Sequence, residues 1–304
     1  MGRKLALAYI AMGASLWGII GIFVTYLYEL GFTPIQVVAV RTMTAALFLI
    51  LVVLYKNRSL FKISFKDSHY FVGTGVISIA LFNWCLFRAM EETSISIASV
   101  LLYTAPVFVA VIARFIFKEW FTSRKVVALV TTFIGCVLVI GVFPSMDETV
   151  SLYGIILGLG AGFFYALYSI FGKLALRKYD TLTVTVYTFI FAACAVTPFS
   201  GVWRAFPLFI NIKSWLFIIG LGFLSTTLAF LFYTAGLKQI ESSQASIIAT
   251  IEPVVACITS FLIFQERLIV WQYLGVVMVL AAVIIVQDNR TNKQRLLSRG
   301  STIS

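Results

Sequence analysis

The sequence predicts an all-α membrane protein of ten transmembrane helices, arranged as two inverted repeats of five helices each. Three observations lead to this prediction. The 304 residues are 61% hydrophobic and only 12% charged, whereas a soluble domain is about a quarter charged. Ten apolar runs are each long enough to cross a bilayer, which takes roughly 20 residues. The last five runs repeat the pattern of the first five.

The ten runs follow one another through mostly short connections, so no second soluble domain is expected. Charged residues, Pro, Gly or Asn bound each run. Arg3 and Lys4 precede the first run as they would in a signal peptide. That run is too long for a signal peptide and lacks a cleavage site, so we interpret it as the first spanning helix. The predicted spans are about 5–27, 35–55, 69–90, 94–117, 125–143, 151–174, 181–203, 213–236, 243–264 and 269–287.

The distribution of positive charge predicts the orientation. If the N-terminus is cytoplasmic and the helices alternate, 17 of the 23 Lys and Arg residues fall in cytoplasmic segments and four in outer loops. Arg41 and Arg114 lie within spans. This asymmetry follows the positive-inside rule and places both termini in the cytoplasm. The net charge of +11 is thereby explained by topology, and no nucleic-acid partner is expected.

The chain repeats itself after 147 residues. Residues 96–119 then fall on 243–266, with eight identities in 24 ungapped positions, among them Pro106 on Pro253 and Glu119 on Glu266. We divide the chain into a first repeat (1–146), a second repeat (147–289) and a basic cytoplasmic tail (290–304). Because five spans are an odd number, the second repeat enters the membrane from the opposite side. Inverted repeats favour transport by alternating access about a central site, although channels are also built this way.

Two segments carry a resemblance to a known family. The segments ISIASVLLYTAPVFVAVIARFIFKE (95–119) and SSQASIIATIEPVVACITSFLIFQE (242–266) resemble the signature of the EamA family, within the drug/metabolite transporter superfamily. GASLWG at 13–18 and Arg41 in the second helix fit this resemblance, which covers about 5–287. It implies ten helices around a central cavity, walled mainly by the third, fourth, eighth and ninth helices with contributions from the first and sixth. Members are often described as exporters of amino acids or other small metabolites, and importers exist too.

Charged residues inside the membrane are costly and are functional candidates. Glu252 lies roughly 14 Å into the ninth helix at 1.5 Å per residue. Two interpretations of Glu252 stay open: a cavity residue that carries a coupled proton, or a structural contact. Arg41 lies roughly 9 Å from the outer end of the second helix. It either reaches the surface or a structural ion pair, or it contacts a substrate carboxylate.

Four further residues mark the fourth and ninth helices. Pro106 and Pro253 lie mid-span, where each removes a backbone hydrogen bond and predicts a helix break. Glu119 and Glu266 close the two helices at opposite faces of the membrane, for which we expect a structural or gating role.

The candidates for the wall of the cavity are mostly aromatic or polar. Ser99 and Tyr103 belong to a polar stripe on the fourth helix, at steps of three and four residues. Aromatic walls suit an organic cation, an aromatic ring or the aliphatic body of an amino acid, but 15% of the chain is aromatic and some rings face inward by chance. The candidates are Trp17, Arg41, Asn83, Trp84, Phe87, Ser99, Tyr103, Tyr165, Tyr168, Tyr233 and Glu252.

These observations predict a secondary active transporter in the plasma membrane that exports small amphipathic metabolites. The alternatives are an importer or a passive facilitator of a small organic solute. The sequence has no Walker A, H-E-x-x-H or G-x-S-x-G motif, so we expect neither ATP hydrolysis nor enzymatic activity. One histidine and four cysteines without a C-x-x-C pair predict no metal or cofactor. The expected partners are lipid, a small-molecule substrate and protons, with the monomer as the functional unit.

Overall fold

The protein is a bundle of long apolar helices. Its structure, a computed structural model, describes residues 2–141, 151–265 and 267–287. In these ranges it contains no strand. Ten helices in these ranges are long and apolar enough to cross a membrane. Both ends of each helix lie within four residues of the ends predicted from the sequence. The helices are α1 (Arg3–Glu29), α2 (Pro34–Lys56), α3 (Phe65–Glu92), α4 (Ile95–Ile116), α5 (Ser123–Ile140), α6 (Leu152–Ala175), α7 (Thr181–Ser200), α8 (Ile212–Leu237), α9 (Ser242–Ile263) and α10 (Val270–Gln287).

The two halves are built alike. α4 and α9 begin and end 147 residues apart, and so do α5 and α10. Two non-glycine residues with positive φ, Lys118 (φ 58°) and Gln265 (φ 57°), have the same separation and follow the ends of α4 and α9. The predicted boundary between the repeats, Glu266 and the predicted tail lie outside the described residues.

Helix packing crosses between the halves. α5 packs against its counterpart α10, and α2 packs against its counterpart α7. α1 contacts α8 and α9 of the second half, while its counterpart α6 contacts α3 and α4 of the first half. Each half therefore supplies walls to a space between the halves, as an inverted repeat requires.

Three helices are interrupted in the membrane. α1 is interrupted at Ile19, between the segments Arg3–Gly18 and Ile20–Glu29. α4 is interrupted at residues 103–104, and Pro106 follows at the start of its second segment, Ala105–Ile116. α9 is interrupted at Thr250, three residues before Pro253. Proline is tolerated in the first turn of a helical segment because the amide hydrogen it lacks has no intrahelical partner there.

α3 and α8 contain wider helical turns at matching positions. A π-helical segment covers Val72–Leu81 in α3 and Phe223–Leu228 in α8, and the two segments end 147 residues apart. Hydroxyl groups bond to carbonyl oxygens five residues earlier: Ser78 Oγ donates to Gly73 O at 2.7 Å and Thr226 Oγ1 to Leu221 O at 2.8 Å. π-Turns within helices are frequent at functional sites.

A buried carboxylate joins the repeats at the N-terminal face, the end of the bundle where α1 begins. Lys118 adopts its left-handed conformation just after α4, and Glu119 then reaches the first residues of α9. The backbone N–H groups of Ser242 and Ser243 donate to Glu119 Oε1 and Oε2 at 2.7 and 3.1 Å, and Ser243 Oγ also donates to Oε2. Glu119 thus supplies acceptors to amides that α9 leaves unpaired, where the helix dipole also favours negative charge.

Other polar contacts at the N-terminal face also connect the repeats. Lys125 Nζ lies 2.7 Å from Glu241 Oε2 and 3.8 Å from Glu119 Oε2. Asp67 accepts hydrogen bonds from Lys178 Nζ at 2.7 Å and from Tyr179 Oη at 2.8 Å. This bond to Asp67 raises the pKa of Lys178.

Fewer such bonds connect the repeats at the opposite face within the described ranges. Gln36 Nε2 donates to Gly201 O at 3.4 Å, Ser151 Oγ to Glu92 Oε2 at 3.3 Å, and Gln272 Nε2 to Val139 O at 3.1 Å. Among the described residues, the repeats therefore share more polar contacts at the N-terminal face.

Replacing Glu119 with Ala is expected to destabilise the protein, because two buried N–H groups lose their acceptor at about 1–3 kcal/mol each. Glu119→Gln keeps one acceptor oxygen and should fall between Ala and the wild type. The measurement is the apparent melting temperature of the purified protein in detergent. The matched control is Glu91→Gln, since Glu91 pairs with Arg88 and both side chains are exposed, an ion pair of the kind that contributes little. Equal melting temperatures for Glu119→Ala and Glu91→Gln would contradict this assignment.

Candidate functional site

A cavity of about 580 Å³ lies between the two repeats. Its lining residues come from six helices, and all but Tyr233 lie in the central part of their spans. This position matches the midplane sites that inverted-repeat transporters use. α1 contributes Trp17 and Ile20, α2 Arg41, α3 Ser78, Ile79 and Phe82, α6 Tyr165, Tyr168 and Ser169, α8 Phe230 and Tyr233, and α9 Glu252.

A second cavity of about 320 Å³ adjoins the first and shares four of its residues: Tyr165, Ser169, Tyr233 and Glu252. It extends to the interruptions of α4 and α9, where Tyr103 and Thr250 line it. Irregular backbone at membrane depth is tolerated where it is buried in protein or lines a wet cavity. The interruptions of α4 and α9 therefore lie where the cavity and the surrounding protein, and not hydrocarbon, border the irregular backbone.

Glu252 is the acidic group of the cavity. It lies two residues after the interruption of α9 and precedes Pro253. Tyr165 Oη donates a hydrogen bond to Glu252 Oε2 at 3.4 Å, and the Tyr103 hydroxyl approaches the same carboxylate. A carboxylate at this depth requires such donors or water, because hydrocarbon supplies none.

Arg41 is the basic group of the cavity. It lies in the outer half of α2 and shares the lining with Glu252. No nitrogen of Arg41 lies within 4.0 Å of a Glu252 oxygen, and the Arg41 Nε hydrogen has no acceptor among the described residues. The two opposite charges thus face one cavity without a direct ion pair, although each lies in the electrostatic field of the other.

Aromatic rings form most of the remaining wall. The Trp17 ring centroid lies 4.9 Å from that of Phe230, 5.0 Å from that of Tyr233 and 6.4 Å from that of Tyr165. The Phe230 ring also packs edge-on against Tyr168 at 5.1 Å. Edge-to-face packing of this kind is favourable and fixes the orientation of each ring.

Two of the tyrosine hydroxyls are already bonded within the protein. Tyr168 Oη lies 2.7 Å from Thr234 Oγ1, and Tyr233 Oη lies 2.7 Å from Ser169 Oγ. These pairs tie α6 to α8 and fix the rings of the wall. The polar groups left for a ligand are chiefly Arg41, Glu252 and the Trp17 indole N–H, whose Nε1 also has no acceptor among the described residues.

The structure brings seven of the eleven candidate wall residues to the two cavities, and four lie elsewhere. Asn83 is buried and donates to the Ile79 carbonyl at 2.7 Å, Trp84 is half exposed on the outer surface of the bundle, and Phe87 packs against Val38, Ala39 and Val196. Ser99 Oγ donates to the Ile95 carbonyl of its own helix at 2.7 Å. The candidates that do line the cavities are Trp17, Arg41, Tyr103, Tyr165, Tyr168, Tyr233 and Glu252.

α3 contributes other residues to the main cavity than the three predicted from the sequence. Asn83, Trp84 and Phe87 follow the π-helical segment Val72–Leu81. The cavity receives Ser78 and Ile79 from that segment and Phe82 directly after it. The sequence signal that could have drawn attention to this segment is its small and polar content, VGTGVISIAL.

Three other residues of the main cavity were missed: Ile20, Ser169 and Phe230. Ser169 lies four residues after Tyr165, so helical spacing places both on one face of α6. Ile20 and Phe230 are apolar residues in apolar helices, and nothing in their local sequence distinguishes them from lipid-facing neighbours.

Comparisons with known proteins agree with this architecture. The model of the EamA-like transporter family matches residues 4–141 and 152–287. An uncharacterized transporter of Archaeoglobus fulgidus is 27% identical over 92% of this chain and 98% of its own length. A second one from that organism is 29% identical over 69% of this chain and 75% of its own length. The uncharacterized transporter YxxF of Bacillus subtilis is 27% identical over 73% of this chain and 71% of its own length.

A crystal structure of another protein superimposes with a TM-score of 0.80, covering 97% of this chain and 99% of that one. At 14% sequence identity this likeness shows the fold alone. The two segments matched by the family model correspond to the two five-helix repeats and together cover nearly the whole chain. The protein is therefore a multi-pass membrane protein of the EamA-like transporter family.

Proposed function

We propose that the protein is a secondary active transporter that exports small amphipathic metabolites, such as amino acids, across the plasma membrane by alternating access. The observation that carries this proposal is the mid-membrane cavity between inverted repeats, in which Arg41 and Glu252 share an aromatic wall. A solute with a positive end, a negative end and an apolar body complements such a wall. Aromatic faces add attraction for a cationic group.

In this proposal the protein alternates between two conformations, which differ in the contacts between the two repeats. The N-terminal face is cytoplasmic, in accord with the positive-inside charge distribution. Contacts such as those of Glu119 with Ser242 and Ser243 close that face in the conformation described, which is then the outward-facing one. In the inward-facing conformation these contacts separate and those of the opposite face strengthen.

The chain carries no Walker A sequence, so energy for the cycle comes from an ion gradient or from the gradient of the substrate itself. In this proposal Glu252 carries the coupled proton. It is the carboxylate of the main cavity, and Tyr165 and Tyr103 supply donors to its ionised form. Protonation removes the negative charge that faces Arg41 and so changes which solute the cavity binds.

Overproduction of the wild-type protein is expected to raise the concentration of its substrate in the medium. The host lacks its own related exporters, and untargeted mass spectrometry compares the medium and the cell extract. The control is the double variant Arg41→Ala, Glu252→Gln. A compound that accumulates outside only with the wild type supports export, whereas one depleted from the medium indicates import. Identical profiles for the wild type and the double variant would contradict the proposed export of general metabolites.

Glu252→Gln is expected to abolish substrate accumulation driven by a pH gradient while leaving exchange across the membrane intact. Gln keeps the shape and polarity of Glu252 but cannot lose a proton. The measurement uses proteoliposomes with the substrate identified by mass spectrometry, with and without an imposed pH gradient. Glu29→Gln, at the exposed end of α1, serves as the matched control. Undiminished pH-driven accumulation in Glu252→Gln would refute the proton-carrier role.

A further inference from the structure

Two buried hydrogen-bond donors of the main cavity have no acceptor. Trp17 is only 6% exposed, and neither its Nε1–H nor the Nε–H of Arg41 has a partner among the described residues. Both side chains line the same cavity. Buried polar groups are nearly always hydrogen-bonded, and leaving one unpaired is costly. Neither donor therefore has an acceptor among the described residues that line the cavity.

The described residues do not supply these acceptors. Glu252 is the carboxylate of the cavity, but its oxygens lie more than 4.0 Å from the Arg41 nitrogens, and one of them accepts from Tyr165. The hydroxyls of Tyr168 and Tyr233 are engaged with Thr234 and Ser169. A ligand that supplies acceptors to both N–H groups relieves the cost of leaving them unpaired.

Charge decides which acceptor fits best. The guanidinium group of Arg41 binds planar, two-oxygen anions through paired, charge-assisted hydrogen bonds. An indole N–H is a donor only. It can donate a hydrogen bond to the same anion and carries no charge of its own. A neutral carbonyl or a water molecule satisfies the donors but leaves the Arg41 charge without a counter-ion in direct contact in a low-dielectric site.

We propose that Arg41 and the Trp17 indole N–H together form a carboxylate-binding subsite of the cavity, and that Trp17 is thereby a specificity-determining residue. The inference rests on the proposed transport function and adds to it the chemical feature that the subsite selects. Solutes with a free carboxylate bind through this subsite. Analogues that lack the carboxylate depend on the aromatic wall and Glu252 alone.

The test compares three small probes that share a phenyl group: L-phenylalanine, 3-phenylpropionate and phenethylamine. The first two carry a carboxylate and the third does not. Their apparent affinities for the purified protein in detergent are obtained from the concentration dependence of its melting temperature. We expect Arg41→Gln to weaken binding of both carboxylate probes at least about tenfold and Trp17→Phe by about three- to tenfold. Neither substitution should weaken phenethylamine binding by more than about twofold, and loss of the Arg41 charge removes a repulsion on its ammonium group.

Matched controls separate the subsite from general damage. Trp84→Phe and Arg88→Gln replace the same residue types at exposed positions, where Trp84 is 50% exposed and Arg88 pairs with Glu91. Both should leave all three affinities unchanged. If Arg41→Gln does not elute as a monodisperse protein, Arg41→Lys replaces it. That variant keeps the charge without the planar donors and should lie between the wild type and the Trp17→Phe, Arg41→Lys double variant.

The outcomes distinguish this inference from the function on which it rests. Equal losses for carboxylate and amine probes, or no loss in either variant, would overturn the subsite while leaving the transporter proposal in place. Binding of phenethylamine alone would overturn the subsite and favour an organic-cation carrier. If none of the probes stabilises the wild type, the amphipathic-solute proposal itself fails and the subsite with it.

Discussion

The hydrocarbon core of a membrane offers no hydrogen-bond partner to the backbone, and the rest of this structure depends on that constraint. An α-helix pairs its own backbone N–H and C=O groups, which is why this chain crosses the membrane as ten helices. The departures from α-helix are therefore informative. The interruptions of α4 and α9 and the π-helical segment of α3 all border the space between the repeats, where side chains and cavity replace lipid. These sites supply Ser78, Tyr103, Thr250 and Glu252 to the linings of the two cavities.

The inverted symmetry also determines where the contacts between the two repeats lie. Because each repeat crosses five times, corresponding contacts of the two repeats lie at opposite faces. One conformation strengthens the contacts at one face and leaves the other looser. The buried Glu119 carboxylate at the start of α9 and the longer hydrogen bonds of the opposite face are the two sides of this division. A cavity placed between them with unpaired Arg41 and Trp17 donors is suited to a ligand that is bound and then released.

Most of the fold was predictable from the sequence, because membrane helices need length and apolarity, and both are local properties. The 147-residue repeat was also visible in the sequence, because Pro and Glu recur at fixed positions in otherwise apolar helices. The site was predictable only in part. Arg41 and Glu252 were conspicuous because charge is rare at that depth. Ser78 and Phe82 were missed: they lie in and directly after the π-helical segment of α3, which hydrophobic periodicity does not indicate. The partners of Glu119 lie more than 120 residues away in sequence, and no local pattern indicates such a contact.

The central claim is that one cavity is reached alternately from the two faces of the membrane. The most direct measurement places a single cysteine at Ile20 in the cavity wall, in a chain whose native Cys85, Cys136, Cys194 and Cys257 are replaced by Ala. A membrane-impermeant maleimide is then applied to right-side-out and inside-out vesicles during transport. The account predicts that Ile20→Cys is modified from both faces, and that a ligand occupying the cavity slows both reactions. Modification from one face only, whatever the substrate gradient, would contradict it.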